Sequence, residues 1–425
     1  MHMPLNVTRE PVRKSRPVDT RTCKKISRRL DWFCIATAIL GALASGAVRA
    51  ADDSVTIGFI TDFSGLYSEG DGQGGLESIR MAIADFGGKV NGMPVKLLYA
   101  DHQNKADIAA SRAREWIDRD GVNAIIGGTN SATALSTNQV AKEKKIPYIN
   151  VGAGADTLTN EQCTPYTVHY AYDTMALAKG TASAVTKRGG KTWYFLTADY
   201  AFGKALEQNA SDVVKANGGQ VLGTVHHPLS AADFSSFLIQ ARESNAQVLG
   251  LANAGGDAVN AIKAAKQFDI TKSMTIAALL VFINDIHSLG LETAQGLLLT
   301  DSWYWNKNPQ TRQWSQRYFD KMKKMPSSLQ AADYSATMAY LRAVQNVGST
   351  NPDKVMAQLK KQKIDDFYAK GYVREDGSMI HDMYLMQVKA PAESREAWDY
   401  YKIVGTIPGE QAYGTKAESR CALWK

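Results

Sequence analysis

Short β-rich apolar runs alternate with amphipathic stretches of 12–18 residues along most of this chain, and that alternation restricts its fold more than any other feature. Parallel strands joined by crossover helices give this pattern, because the helices cover both faces of the sheet and let the strands be apolar throughout. The runs predict strands at 55–60, 95–100, 124–126, 148–151, 193–196, 220–225, 248–251, 274–278 and 297–300. Between them, residues 106–117 place Ile108, Ala109, Ala113, Trp116 and Ile117 at helical spacing, and Asp233 is positioned to cap a helix carrying Phe234, Phe237, Leu238 and Ala241. Tyr334, Met338, Leu341 and Val344 form a later apolar stripe. The alternation restarts near 166–172 and runs to about residue 300, so the chain holds two sets of βα units with no low-complexity linker between them. After Ser302 the pattern is helical until late strands at 383–388 and 400–404, a tail expected to complete both halves.

Residues 1–50 read as a leader. A basic stretch that includes Arg28 and Arg29 precedes an apolar core at 33–44, too short to span a bilayer, and Val48 and Ala50 suit the positions before a cleavage site. The expected product is a soluble exported chain that begins Ala51-Asp52-Asp53. Removing the leader takes away ten of 49 Lys and Arg but three of 42 Asp and Glu, so the remainder is neutral and the net charge of +7 belongs to the discarded segment. Nucleic acid and anionic membrane surfaces are therefore not expected partners. At 375 residues the rest exceeds the roughly 250–300 residues at which single cores stop growing, which predicts two domains. Cys163 and Cys421 are the cysteines left in an oxidising compartment, and a disulfide between them would pin the C-terminus. The competing reading, two separate free thiols, is disfavoured by the exposure of thiols outside the cytoplasm.

Enzyme chemistry finds little support. Gly70, Gly72 and Gly75 spell G-x-G-x-x-G, but the dinucleotide fingerprint needs its first glycine at the turn leaving the strand, and about nine residues intervene here. No Gly-x-Ser-x-Gly elbow is present, and the histidines at 102, 169, 226, 227, 287 and 381 lack metal-ligand spacing. No catalytic residue, cofactor or metal is expected. The informative loops are polar, built of small residues and placed at strand C-termini, where open α/β sheets bind ligands. One runs Gly127-Gly128-Thr129-Asn130-Ser131-Ala132-Thr133 and opens a helix; another is Gly152-Ala153-Gly154-Ala155. Hydroxyls and free amides converging there suit a carboxylate or similar anion.

Read together, SVTIGFITDFSG, NAIIGGTNSATALS, IPYINVGAGADTLT, YFLTADYAFG, DFSSFLIQARESNAQVLGLANAGG and QGLLLTDSWYW make residues 54–425 resemble the branched-chain amino acid type of periplasmic substrate-binding protein that serves ABC importers. The resemblance implies an α/β fold of two Rossmann-like lobes with parallel sheets, the type I periplasmic binding protein architecture, joined by three crossovers near 168–174, 299–305 and 386–390. Lobe 1 is then 51–170 with 303–387, lobe 2 is 171–302 with 388–425, and a solute is trapped between them by hinge closure. By motif, Ser131 matches the family's carboxylate-binding serine and Gly152 to Gly154 its backbone loop, with Asn130, Thr133 and Ala153 beside them. Gly154 stands where amino-acid binders often carry a threonine, Ala254 where they carry a tyrosine and Leu280 where they carry the acid that pairs with the ammonium. A buried ammonium without a counter-charge would cost several kcal/mol.

The second lobe offers Asp199 and Asn253 as polar contacts, and the cleft edge offers Tyr67, Tyr200, Phe202, Phe282 and Trp303 as rings for a flat apolar body, with Tyr304 and Trp305 nearby. An aromatic or otherwise apolar carboxylate is the expected ligand. Branched-chain or other amino acids and amides are the alternative. The expected partners are this small molecule and the permease and ATPase subunits of an importer, with the receptor a periplasmic monomer. A sensor feeding a histidine kinase or chemoreceptor would use the same site, and an exported α/β enzyme would instead turn its ligand over.

Overall fold

The computed structural model describes residues 54–424. The leader and its cleavage site at Ala50 lie outside the described residues. Six strands form the first sheet: β1 (Val55–Thr61), β2 (Lys89–Val90), β3 (Met93–Asp101), β4 (Ala124–Ile126), β5 (Tyr148–Asn150) and β6 (Thr167–His169), in the order β2-β3-β1-β4-β5-β6. All neighbours are parallel except the β2–β3 hairpin. Every residue of β1, β4 and β5 is buried, as a strand with helices on both faces requires.

The second sheet begins with β7 (Thr192–Ala198), β8 (Gln220–His227), β9 (Val248–Ala252), β10 (Thr275–Ala278) and β11 (Leu298–Asp301), all parallel. A small antiparallel sheet follows, made of β12 (Lys363–Asp365), β13 (Lys370–Val373) and β14 (Met379–His381). The expectation of an all-helical stretch between 302 and 383 misses it. Its strands are three or four residues long, too short for an alternating pattern to stand out. Finally β15 (Met383–Val388) and β16 (Tyr401–Ile407) add to the second sheet antiparallel, giving β16-β15-β11-β10-β9-β7-β8. The crossing expected near 386–390 therefore begins inside a second-sheet strand, as does the lobe boundary at 387. Register with β11 starts at Tyr384, so the chain has already passed over by Asp382.

In each sheet the strand order reverses beside the first strand, at β3-β1-β4 in one and β8-β7-β9 in the other, which opens a crevice at the C-terminal ends. Helix starts are fixed locally. Asn130 accepts from the amides of Ala132 and Thr133 and starts Ser131–Lys144, while Ser327 accepts from Gln330 and starts Ser328–Val347. Asp233 does accept the Ser235 amide, and its helix begins at Ser235. Helix Ser328–Val347 packs on helix Gly72–Asp85, so residues far along the chain cover the first sheet. No helix among the described residues is long and apolar enough to cross a membrane.

The expected disulfide is present. Cys163 and Cys421 are bonded across a sequence separation of 258, tying the tail that follows β16 to the loop after β5. Arg420 reinforces the tie through Glu161 at 2.7 Å and the Asn160 side chain at 3.1 Å. Closing so long a loop removes much unfolded-chain entropy, so replacing both cysteines by serine is expected to lower unfolding free energy by about 2–5 kcal/mol, measured by denaturant titration of the mature chain. An unchanged midpoint would mean that the crosslink adds nothing to the folded tail.

Candidate functional site

Loops from the C-terminal edges of both sheets line one cavity. From the first sheet come Tyr67 and Gly70 after β1, Thr129 after β4, and Gly152 and Gly154 after β5. The second sheet supplies Tyr200 and Phe202 after β7, Ala254 and Gly255 after β9, and Leu280, Phe282 and Asp285 after β10. Tyr172, on the first crossover, and Leu329, at the start of helix Ser328–Val347, close the sides.

The walls touch. Tyr67 and Tyr200 share a hydrogen bond of 2.5 Å between their phenols, and the Gly256 amide donates to the Leu66 carbonyl at 3.0 Å. Two glycines permit this approach. Gly255 has φ +57° and a Cβ there would lie 2.4 Å from the Leu66 carbonyl oxygen, while a Cβ at Gly154 would lie 3.0 Å from the Phe202 ring. About 10 Å³ remains open to the centre of a water molecule, room for roughly one water. A ring-sized solute therefore enters only when the walls separate.

Electrostatically the cavity is almost neutral, with no Lys, Arg or His among its lining residues. Burial raises the pKa of both Tyr67 and Tyr200, so the phenols stay protonated. Asp285 is the one carboxyl on the wall. Burial pushes it up to about 6, against the pull of the Phe282 amide that it accepts at 2.8 Å, so it is still mostly ionised at neutral pH.

Of the residues singled out in the sequence, Tyr67, Gly152, Gly154, Tyr200, Phe202 and Phe282 meet in the cavity. Ser131 lies behind it, where its buried hydroxyl accepts from the Ala155 amide at 3.1 Å and so fixes the 152–155 loop. Ala153 is likewise internal, its carbonyl accepting from Asn150 at 2.7 Å. Asn130 and Thr133 are occupied with the helix start, since Thr133 Oγ1 donates to the Asn130 carbonyl at 2.7 Å. Asp199 points to solvent in an ion pair with Lys204 at 2.8 Å, and Asn253 is buried against His227 Nε2 at 3.0 Å. Trp303 is drawn into a ring cluster with Trp314 and Phe367, its Nε1 donating to the Phe367 carbonyl at 3.3 Å. Tyr304 and Trp305 pack in the same sense, both reaching the Trp398 carbonyl. Thr129 and Asp285 were missed, although Thr129 stands inside one of the two polar loops. Leu329 had no sequence signal, because it arrives from a helix about 200 residues further on.

Comparison with known proteins identifies the family. A family model described as periplasmic binding protein matches residues 54–394, and the chain belongs to that family. A periplasmic binding protein of known structure from Burkholderia mallei is 78% identical over 88% of this chain and 100% of its own, with a TM-score of 0.87. A branched chain amino acid ABC transporter periplasmic ligand-binding protein from Burkholderia xenovorans LB400 is 40% identical over 88% of this chain and 100% of its own, with a TM-score of 0.79. Among curated relatives, Leu/Ile/Val-binding protein homolog 6 of Brucella abortus (strain 2308) is 26% identical over 50% of this chain and 54% of its own, so the chain spans about half the length of that relative.

The close approach at Gly255 generates a prediction. Gly255→Ala is expected to leave each lobe folded at a cost of about 1–2 kcal/mol, while its methyl group meets the Leu66 carbonyl and props the lobes apart. Small-angle scattering should then give a larger radius of gyration than wild type, and an unchanged radius would show that the walls do not meet in solution.

Proposed function

We propose that this chain is the exported solute receptor of an ABC importer, trapping a small apolar or aromatic carboxylate between its lobes and presenting the closed form to a permease with cytoplasmic ATPases. Hinge motion would occur about the passages at 170–173, 302–305 and 382, with residues 1–50 directing export to the periplasm. One observation carries the ligand class. Beside Tyr200, Gly255 and Asp285 the second-lobe wall carries Phe202, Phe282, Leu280 and Ala254, so the body of the ligand meets mostly rings and aliphatic groups. Ala254 and Leu280 are the two positions where the amino-acid binders that this chain resembles carry a tyrosine and an acid. The first-lobe wall supplies the Thr129 hydroxyl and the Gly154 backbone for carboxylate oxygens, while the Gly152 amide is already given to the Gly128 carbonyl at 2.8 Å.

Asp285 favours a second reading. A buried carboxylate on the same wall would offer an ammonium the counter-charge that Leu280 does not, which allows an amino acid bound in a different pose.

Calorimetric titration of the mature chain with benzoate, 4-hydroxybenzoate and leucine separates the readings. Micromolar or tighter binding of an aromatic acid, with leucine silent, is expected. Tight leucine binding that is lost in Asp285→Asn would overturn the aromatic proposal in favour of the second reading. Turnover of the bound compound would overturn both.

A further inference from the structure

Behind Thr129 a chain of polar side chains runs into the first lobe, and the hydrogens along it can be assigned from their partners. His102, which follows β3, is 1% exposed, and its Nδ1 lies 3.0 Å from the Asn104 amide. A backbone amide can only donate, so Nδ1 bears the lone pair and Nε2 carries the ring hydrogen. Burial lowers the pKa of this ring to about 4, against the raising effect of Asp62 and Asp101, so it is neutral. Its Nε2 faces Thr129 Oγ1 at 3.4 Å.

On the other side of Thr129, Thr61 Oγ1 lies 3.3 Å from Thr129 Oγ1 and 2.5 Å from Asp71 Oδ2. Asp71 abuts Asp333. A Cβ built on Gly75 would fall 2.0 Å from Asp71 Oδ1 and 2.5 Å from Asp333 Oδ2, so both carboxyls press on one glycine. Both are fully buried and both pKa values are raised, chiefly by that burial. Adjacent buried carboxyls hold one proton between them, which leaves Asp71 Oδ2 as an acceptor and commits the single hydrogen of Thr61 to it.

Thr129 therefore receives a hydrogen from His102 and finds a lone pair on Thr61, both at long range. Its own hydrogen is weakly held and it lines the cavity. An anionic oxygen placed there offers a better, charge-assisted acceptor.

We propose that Thr129 is the hydrogen-bond donor with which the first lobe recognises the anionic oxygen of the ligand, and that His102, with Asp71 acting through Thr61, is a positioning residue that sets the Thr129 hydroxyl to donate. The proposal rests on the carboxylate reading above and gives that reading a specificity determinant. Thr129 would favour an anionic oxygen over a cationic group, because its hydroxyl is set as a donor.

Two measurements on the full mature chain test it. Long-range nitrogen-15 NMR at neutral pH should show His102 as a neutral ring with hydrogen on Nε2, and hydrogen on Nδ1 would overturn the assignment. Binding is read with benzoate and with leucine, both of which carry a carboxylate. For whichever of the two the wild type takes, Thr129→Val should weaken binding about tenfold or more, and Thr129→Ser should stay within about threefold of wild type. Equal affinities for wild type and Thr129→Val would overturn the proposal. Binding of leucine alone would remove the aromatic reading while still testing Thr129 on a carboxylate.

Discussion

Two mostly parallel sheets meet C-terminal edge to C-terminal edge, and the rest of the molecule is arranged around that meeting. A parallel strand ends with unused backbone groups pointing off its C-terminal edge, and beside a reversal in strand order no crossover helix covers them. Each sheet has one such place, and here the two face each other. The Tyr67–Tyr200 and Gly256–Leu66 hydrogen bonds across the gap each contribute about 0.5–1.5 kcal/mol net, and the Phe202 and Phe282 rings pack close to Gly154 and Gly70. A solute bonded to both walls adds its own contacts to theirs, so occupancy can control closure.

Chemistry is divided unequally across the gap. The first-lobe wall combines glycine backbone and the Thr129 hydroxyl with the Tyr67 phenol. The second-lobe wall is largely apolar, with the Asp285 carboxyl as its exception. Other ionisable groups lie behind both walls, His102, Asp71 and Asp333 in the first lobe and His227 and Asp257 in the second, all buried and outside the cavity lining. Ser131 works in a similar way from behind, holding the 152–155 loop through the Ala155 amide. Much of what shapes the site is thus one layer removed from it.

The tail has a related role in the fold. After β16 it returns to the first lobe, where Cys421 and Arg420 meet Cys163, Asn160 and Glu161, and on the way the Lys179 amine meets the Tyr413 carbonyl at 3.1 Å. A segment that begins on one sheet and ends beside the other adds a further link to the three passages of the main chain.

The alternation of apolar runs and amphipathic stretches set the two sheets, and β4 and β15 lie at the bounds their residues predict, because strand and helix periods are local properties of sequence. The polar loops at the ends of β4 and β5 were legible for the same reason, as was the pairing of Cys163 with Cys421. Which side chains of those loops face the cavity was decided only in three dimensions. Within one loop, capping turns Asn130 and Thr133 inward and leaves Thr129 on the wall. Tyr67 meets Tyr200 across 133 residues, Leu329 reaches the site from a helix of the opposite half of the sequence, and Trp303 is taken by the Trp314 and Phe367 cluster. Local periodicity fixes where a chain turns, whereas the direction of a side chain depends on competing partners that distant segments bring to it, and no pattern along the sequence records that competition.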